Sequence, residues 1–374
     1  MGALTLYDEL TAKRTRFLRV DELCSAAAER GALPSGPELA AEARRPLKEK
    51  QGLEKAQGAF LAEILADPAA GTHLCHAMLL PHPRTAERLA EYDRTGTFEL
   101  PGARLERQGK AAILTMRNPR YLNAEDETTI EAMEIAVDLA LLDRQTEVCV
   151  LRGGVVEHPK YAGRHLFGAG INLTHLYQGS IRYLWYLIRD LGFVNKLYRG
   201  LALKDQDPET GGREKIWIAA VEGFAIGGHC QILLAVDRTL AGEDAYLTLP
   251  ARKEGIIPGA ANLRLPRFVG DRITRQAIMA ELRIECASAA GRMICDEIVS
   301  PHDMERAVSR TVEKLTGSGV VSAAGNRRAI RAGQEPLDLF RRYMAVYARE
   351  QAQCHFSPAL IANLEKNWNA ANRS

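Results

Sequence analysis

The chain has 374 residues, 46% hydrophobic and 26% charged, with 49 Lys and Arg against 47 Asp and Glu. That is enough sequence for about two domains of about 150 residues each, and a formal charge of +2 builds no large field toward nucleic acid or an anionic membrane. No apolar run reaches the roughly 20 residues that cross a bilayer and the N-terminus lacks a basic-then-apolar leader, so a cytoplasmic protein with no nucleic-acid or membrane partner is expected.

From Leu6 to about Tyr92 the chain is rich in Ala, Leu, Glu and Arg and poor in β-branched residues, which predicts several helices and no strand. Breaks fall at 31–37, 67–71 and 81–83, and Phe60, Ile64 and Leu65 share one apolar face. His73, Cys75 and His76 stand close together, but they lack helical ligand spacing and no second pair follows them, so no metal is expected. The seven cysteines include no CxxC pair and imply no disulfide framework. After Pro101 the short runs Ala111 to Met116 and Val148 to Leu151 read as strands. They flank a helix that starts near Asn123, a good N-cap, and turns Ile130, Met133, Val137, Ala140 and Leu141 to one face. This is a βαβ unit, which calls for parallel pairing and a right-handed crossover. An aromatic helix from Tyr183 to Lys196, a polar loop from Leu203 to Glu214 and a strand from Ile216 to Val221 come next. A Gly-rich turn, a short apolar helix from Ile232 to Val236 and a strand pair, Thr239 to Ala241 and Tyr246 to Leu249, follow. Helices are predicted from Asp303 to Leu315, Leu337 to His355 and near Leu360 to Trp368. The chain thus divides into a helical N-terminal extension (1–100), an α/β core (101–300) and a helical C-terminal region (301–374).

Two glycine-centred turns carry the chemistry: FGAGIN (167–172) and GFAIGGHCQ (223–231), the second directly after a strand and opening a helix. Glycines at such a turn let backbone approach a ligand and aim free N–H groups outward. The GxxIGG spacing is not GxGxxG, and no acidic residue stands where a ribose would need one, so a dinucleotide cofactor is not indicated. Taken singly, each turn reads as well as a tight βα connection. Together with PARKEGIIPGAAN (250–262), and in this order, the turns resemble the crotonase (enoyl-CoA hydratase/isomerase) superfamily over about 105–315. That resemblance implies an α/β spiral of ββα units, an assembly as homo-trimer or hexamer, and binding of an acyl-CoA. It places the oxyanion-hole donors at the backbone N–H groups of Ile171 and Gly228.

The departures from the family pattern are informative. A hydratase of this family moves water with two glutamates; here Gln231 and Ala251 stand at those places, so that acid/base pair is missing. Glu254, three residues further, is expected to point elsewhere as a structural residue. The segments HPKYAGR (158–164), NPRYLNAED (118–126) and KEGIIPGAANLRL (253–265) look like the superfamily's cofactor-independent 3,5-dihydroxyphenylacetyl-CoA dioxygenases, with a likeness over about 53–347. This implies an arylacetyl-CoA and dioxygen as substrates, no cofactor and no metal. Glu125, Arg189 and Gln231 would hold the ring hydroxyls, and Ala251, Ile256 and Ile257 would line an apolar oxygen cavity. The bland alternatives are a solvated Glu125 in a first helical turn, a surface Arg189 paired with Asp190, and an ordinary core for the apolar three. His229, where a third glycine is common, either reaches the pocket or points away from the acyl group. Lys160 and Arg164 suit CoA phosphates or plain solvation. A thioester hydrolase or dehalogenase on the same fold, or an inactive acyl-CoA-binding subunit, are the rival readings.

Overall fold

The computed structural model describes residues 2–161, 163–317 and 320–372; Ala162 of the HPKYAGR segment lies outside them. Helices Ala3–Leu10, Val20–Glu29, Gly36–Ala43, Lys55–Ala66, Pro68–Leu79 and Thr85–Thr95 form the N-terminal extension. Their ends follow from capping chemistry. Ser35 and Glu38 make a reciprocal box, Asp67 accepts from the Ala69 and Ala70 amides with Pro68 at the first position, and Gly96 closes the last helix at φ 69°.

Among the described residues the core holds two sheets. The larger contains β1 (Thr97–Leu100), β2 (Ala103–Gln108), β3 (Ala111–Met116), β4 (Val148–Gly153), β5 (Ile216–Val221), β7 (Arg238–Gly242) and β10 (Glu297–Val299), in that spatial order. It is antiparallel from β1 to β3 and parallel from β3 to β10. The smaller sheet pairs β6 (Phe224–Ile226) in parallel with β8 (Tyr246–Thr248), which pairs antiparallel with β9 (Ile284–Glu285). Two successive turns of the chain therefore read strand, strand, helix: β5, β6 and Gly228–Leu233, then β7, β8 and Ala251–Glu254. The first strand of each turn joins the large sheet and the second joins the small one. The expected pairing of the strands near 239 and 246 is thus incorrect, because a tight turn closed by Ala245 N–H donating to Gly242 O (2.9 Å) sends them into different sheets.

Three further expectations shift. The helix expected to start at Asn123 starts at Ile130. Leu122 and Asn123 adopt positive φ (55° and 58°), and the Asn123 amide donates to the carbonyls of Gly154 and Leu166, each at 2.8 Å, instead of capping. The aromatic helix is two, Leu184–Leu191 and Phe193–Arg199, separated by Gly192 in a non-helical conformation. The short apolar helix lies earlier, at Gly228–Leu233.

The three segments share one hydrophobic core. Helix Leu337–His355 lies along Lys55–Ala66, where a Cβ on Gly58 would come 2.6 Å from the Ala352 Cβ, so glycine permits the close approach. Buried charges pin the segments as well. Glu134 on helix Ile130–Leu142 meets Arg19 of the extension and Lys196 of the core, each at 2.7 Å. Glu335 collects Arg264, Arg267 and Arg199.

Candidate active site

The two glycine turns lie side by side. Gly168 bridges Ala225 in parallel, donating to the Phe224 carbonyl (3.1 Å) and accepting from the Ile226 amide (3.0 Å). Gly170 has φ 79°, and a Cβ there would sit 2.8 Å from the Ile226 carbonyl oxygen, so only glycine allows the turns to close. Glu125 N–H donates to Gly170 O (2.7 Å) and Asn172 N–H donates to Glu125 O (2.8 Å). The Ile171 N–H between them has no acceptor among the described residues, and neither has the Gly228 N–H at the first position of its helix. Ile171 and Gly228 line the same cavity. Its open core of about 30 Å³ has room for a couple of water-sized molecules. Two unsatisfied amides bordering one cavity are donors of the kind that can stabilise an oxygen gaining negative charge.

Arg189 sits opposite, buried, with every donor used. Its Nε and Nη2 reach the two carboxylate oxygens of Glu125 (2.9 and 2.8 Å). Nη1 donates to Asp190 (2.8 Å) and to the Gln231 carbonyl oxygen (3.1 Å), and Nη2 also donates to Gly228 O (2.8 Å). All five guanidinium N–H groups are accounted for. Arg189 thus shapes the site by holding Glu125, Gln231 and the Gly228 peptide in register, and it is not a surface arginine. Burial alone would lower its pKa, but the Glu125 and Asp190 carboxylates raise it further. Burial raises the Asp190 carboxyl against the pull of Arg189, and the Tyr347 hydroxyl also donates to it.

Several expected residues meet here. Ile171, Gly228, Arg189, Gln231, Ala251, Ile256 and Ile257 line the cavity. Glu125 stands one layer behind, its Oε2 2.5 Å from where a Cβ on Gly228 would be. It is not in a helical first turn but in an extended bridge with Ile171, so the Arg189 guanidinium, and no helix dipole, balances its charge. His229 is buried outside the cavity lining. Its Nδ1 accepts from the Gly170 N–H (3.0 Å), which puts the proton of the neutral ring on Nε2. Burial lowers its pKa to about 4, and its ring fills the space a Cβ on Gly168 would need, 2.3 Å away. It buttresses the FGAGIN turn. Lys160 and Arg164 lie on the surface, Lys160 5.1 Å over the Tyr161 ring and Arg164 2.7 Å from Asp244; neither lines the cavity.

The expectation for Glu254 is overturned: it lines the cavity. Ala251–Glu254 is a single helical turn, so residues 251 and 254, three apart, share a face. That spacing is the signal that could have found it. Burial pushes the Glu254 carboxyl up to about 8. Asp190, Tyr347, Trp185 and Tyr186 also line the wall; Tyr347 comes from the C-terminal helix Leu337–His355, which no local motif connects to the glycine turns. Among the described residues no cluster of three or more His, Cys, Asp or Glu is placed to hold a metal. His73 contacts the Tyr7 hydroxyl (2.7 Å) and His76 the Leu203 carbonyl (3.1 Å).

The family model described as enoyl-CoA hydratase/isomerase matches residues 106–344. The chain is 47% identical over 350 residues to the (3,5-dihydroxyphenyl)acetyl-CoA 1,2-dioxygenase of Amycolatopsis orientalis, covering 93% of this chain and 80% of that protein. It is 28% identical over 241 residues to a short-chain-enoyl-CoA hydratase of Clostridium acetobutylicum, covering 64% of this chain and 84% of the hydratase. Among solved structures, an enoyl-CoA hydratase/isomerase from Xanthobacter autotrophicus Py2 superposes with a TM-score of 0.59 at 22% identity, over 73% of this chain and 97% of that one. An enoyl-CoA hydratase from Bacillus halodurans gives a TM-score of 0.58 at 19% identity, over 71% and 99%. The structural likenesses establish the crotonase fold of the core.

Proposed function

The chain belongs to the enoyl-CoA hydratase/isomerase family, and from that premise we propose that it is a dioxygenase of 3,5-dihydroxyphenylacetyl-CoA or a close arylacetyl-CoA thioester. One observation carries the reading: two amides without acceptors among the described residues border a cavity whose wall carries Gln231 and Ala251, the residues that the family resemblance puts in place of a hydratase's two glutamates. The 47% identity to the Amycolatopsis dioxygenase supports it. So does the polar end of the cavity, where Arg189, Asp190 and Gln231 line the wall and the Glu125 carboxylate stands behind the guanidinium. The Gln231 oxygen is taken by Arg189, and its NH2 group, which makes no hydrogen bond to a described residue, suits a phenol oxygen.

In this mechanism the thioester carbonyl lies between the Ile171 and Gly228 amides, each donor contributing on the order of 3 kcal/mol to the developing oxyanion. Loss of an α-proton gives an electron-rich enolate. That carbanion passes an electron to dioxygen held against Ala251, Ile256 and Ile257. The peroxide formed at the α-carbon attacks the thioester carbonyl and expels CoA, and the four-membered peroxide collapses to the arylglyoxylate, with no metal or flavin taking part. The assembly that goes with this reading is a homo-trimer or hexamer. The test is turnover under isotopically labelled dioxygen with chelator present. Both labelled atoms should enter the arylglyoxylate, one at the α-carbon and one in the carboxylate. CoA release at full rate under argon would reject oxygenation in favour of thioester hydrolysis.

A further inference from the structure

Two carboxyls reach the cavity wall, Asp190 and Glu254, and their surroundings differ. Asp190 is committed: it accepts from Arg189 (2.8 Å) and from the Tyr347 hydroxyl. Glu254 is buried, yet its carboxyl makes no hydrogen bond to a described residue, and it stands beside Tyr186 on the wall that also carries Ala251 and Ile256. The neighbouring cation is drawn away from it: the Lys253 ammonium lies 5.2 Å over the Trp368 ring, and Asn367 donates to the Lys253 carbonyl (3.0 Å). Gly255, at φ 93°, ends the turn against helix Pro358–Trp368. A buried acid without a partner is costly to keep, and the C-terminal helix holds this one against the cavity. The other candidate bases are occupied or out of reach. Glu125 is engaged on both oxygens by Arg189 and stands behind it, and His229 uses its acceptor nitrogen on the Gly170 amide.

We propose that Glu254 is the catalytic residue that takes the proton from the substrate's α-carbon. This rests on the arylacetyl-CoA reading above. In the step, a carboxylate oxygen of Glu254 forms the O–H bond as the α C–H bond breaks. The C–H electron pair becomes the carbon–carbon π bond of the enolate, and the carbonyl π pair moves to the oxygen between the Ile171 and Gly228 amides. No oxidant takes part, and the reverse step restores the thioester. A carboxyl raised to about 8 by burial holds both protonation states near neutral pH, and as the ion it is a stronger base than a solvated glutamate. The titratable and charged groups facing it are Lys253 and Tyr186 at its side, with Arg189, Asp190 and Tyr347 on the rest of the wall.

The deciding experiment incubates the full-length protein with 3,5-dihydroxyphenylacetyl-CoA in deuterated buffer under argon and follows loss of the α-methylene signal by NMR. Wild type is expected to exchange both α-protons, at a rate that rises with pH up to about 8. Glu254→Gln, isosteric with the protonated acid, is expected to slow exchange by about 100-fold or more while the Kd for the thioester and the thermal midpoint hold. Glu254→Asp should fall between the two. A Glu254→Gln protein that exchanges within about threefold of wild type and releases CoA normally in air overturns the assignment, and leaves the dioxygenase reading in place. A wild-type protein that neither binds this thioester nor consumes oxygen with it refutes the dioxygenase reading itself.

Discussion

Replacing Arg189 by Met removes one cation from between two buried carboxylates and leaves an apolar chain of similar length. Five hydrogen bonds are lost, to Glu125, Asp190, Gln231 and Gly228. Breaking a buried pair by deleting one partner costs about 3–5 kcal/mol, and the same figure follows from proton uptake. A carboxyl that ionises near pH 4 when unfolded but must bind a proton to stay buried costs about 4 kcal/mol at pH 7 and about 1.4 kcal/mol at pH 5. In that range the folded variant holds a proton that its unfolded chain does not, so stability relative to wild type falls as pH rises, by about 1.4 kcal/mol per unit for each proton held. Urea unfolding of both proteins between pH 5 and 7.5, followed by circular dichroism and tryptophan fluorescence, measures this slope. A stability difference that does not change with pH would mean that the two acids remain ionised and hydrated without Arg189, and the reasoning about a dry charged cluster would fail.

Gly228→Ala should act on chemistry more than on folding. Its Cβ would lie 2.5 Å from Glu125 Oε2 and 2.9 Å from Arg189 Nη2, so the ion pair or the amide must shift. We expect turnover to drop by about 10²–10³ for about 1–3 kcal/mol of stability; turnover within threefold of wild type would show that the amide is not used. His229 gives a pH signature of opposite sign to the Arg189 variant. Its folded pKa is depressed to about 4, so between there and the unfolded value the unfolded chain binds the extra proton. The stability it contributes is present above about pH 6.5 and is lost on acidification toward pH 4, by about 1.4 kcal/mol per unit. His73 and His355, also depressed by burial, add to the wild-type slope with the same sign. His229→Gln should remove one share of that slope, and an unchanged slope would mean that the ring is protonated or solvated in the folded state.

The order of the glycine turns, four of the five strands of the parallel sheet (all but Glu297–Val299) and the Gln231 and Ala251 that stand where the family resemblance puts a hydratase's glutamates were legible in the sequence. They are local or positional properties. Buried strands show as short β-branched runs, a turn that needs positive φ shows as glycine, and Gln231 and Ala251 can be named without coordinates. Legible residues still proved open to wrong local readings: Asn123 looks like a helix cap because its amide can cap, yet the same amide finds two backbone carbonyls brought near by folding. Only the tertiary structure decided what each polar side chain faces. Glu125, Arg189 and Gln231 are dozens of residues apart, and which of them touches the cavity depends on how the FGAGIN turn, helix Leu184–Leu191 and helix Gly228–Leu233 pack. The 251/254 spacing puts both residues on one face of the one-turn helix, but the residues before and after the helix set which way that face points, and that rotation turned Glu254 inward. Charge balance at Arg189 is likewise tertiary: besides the adjacent Asp190, its acceptors Glu125, Gln231 and Gly228 come from distant parts of the chain and stand within 3.1 Å of it.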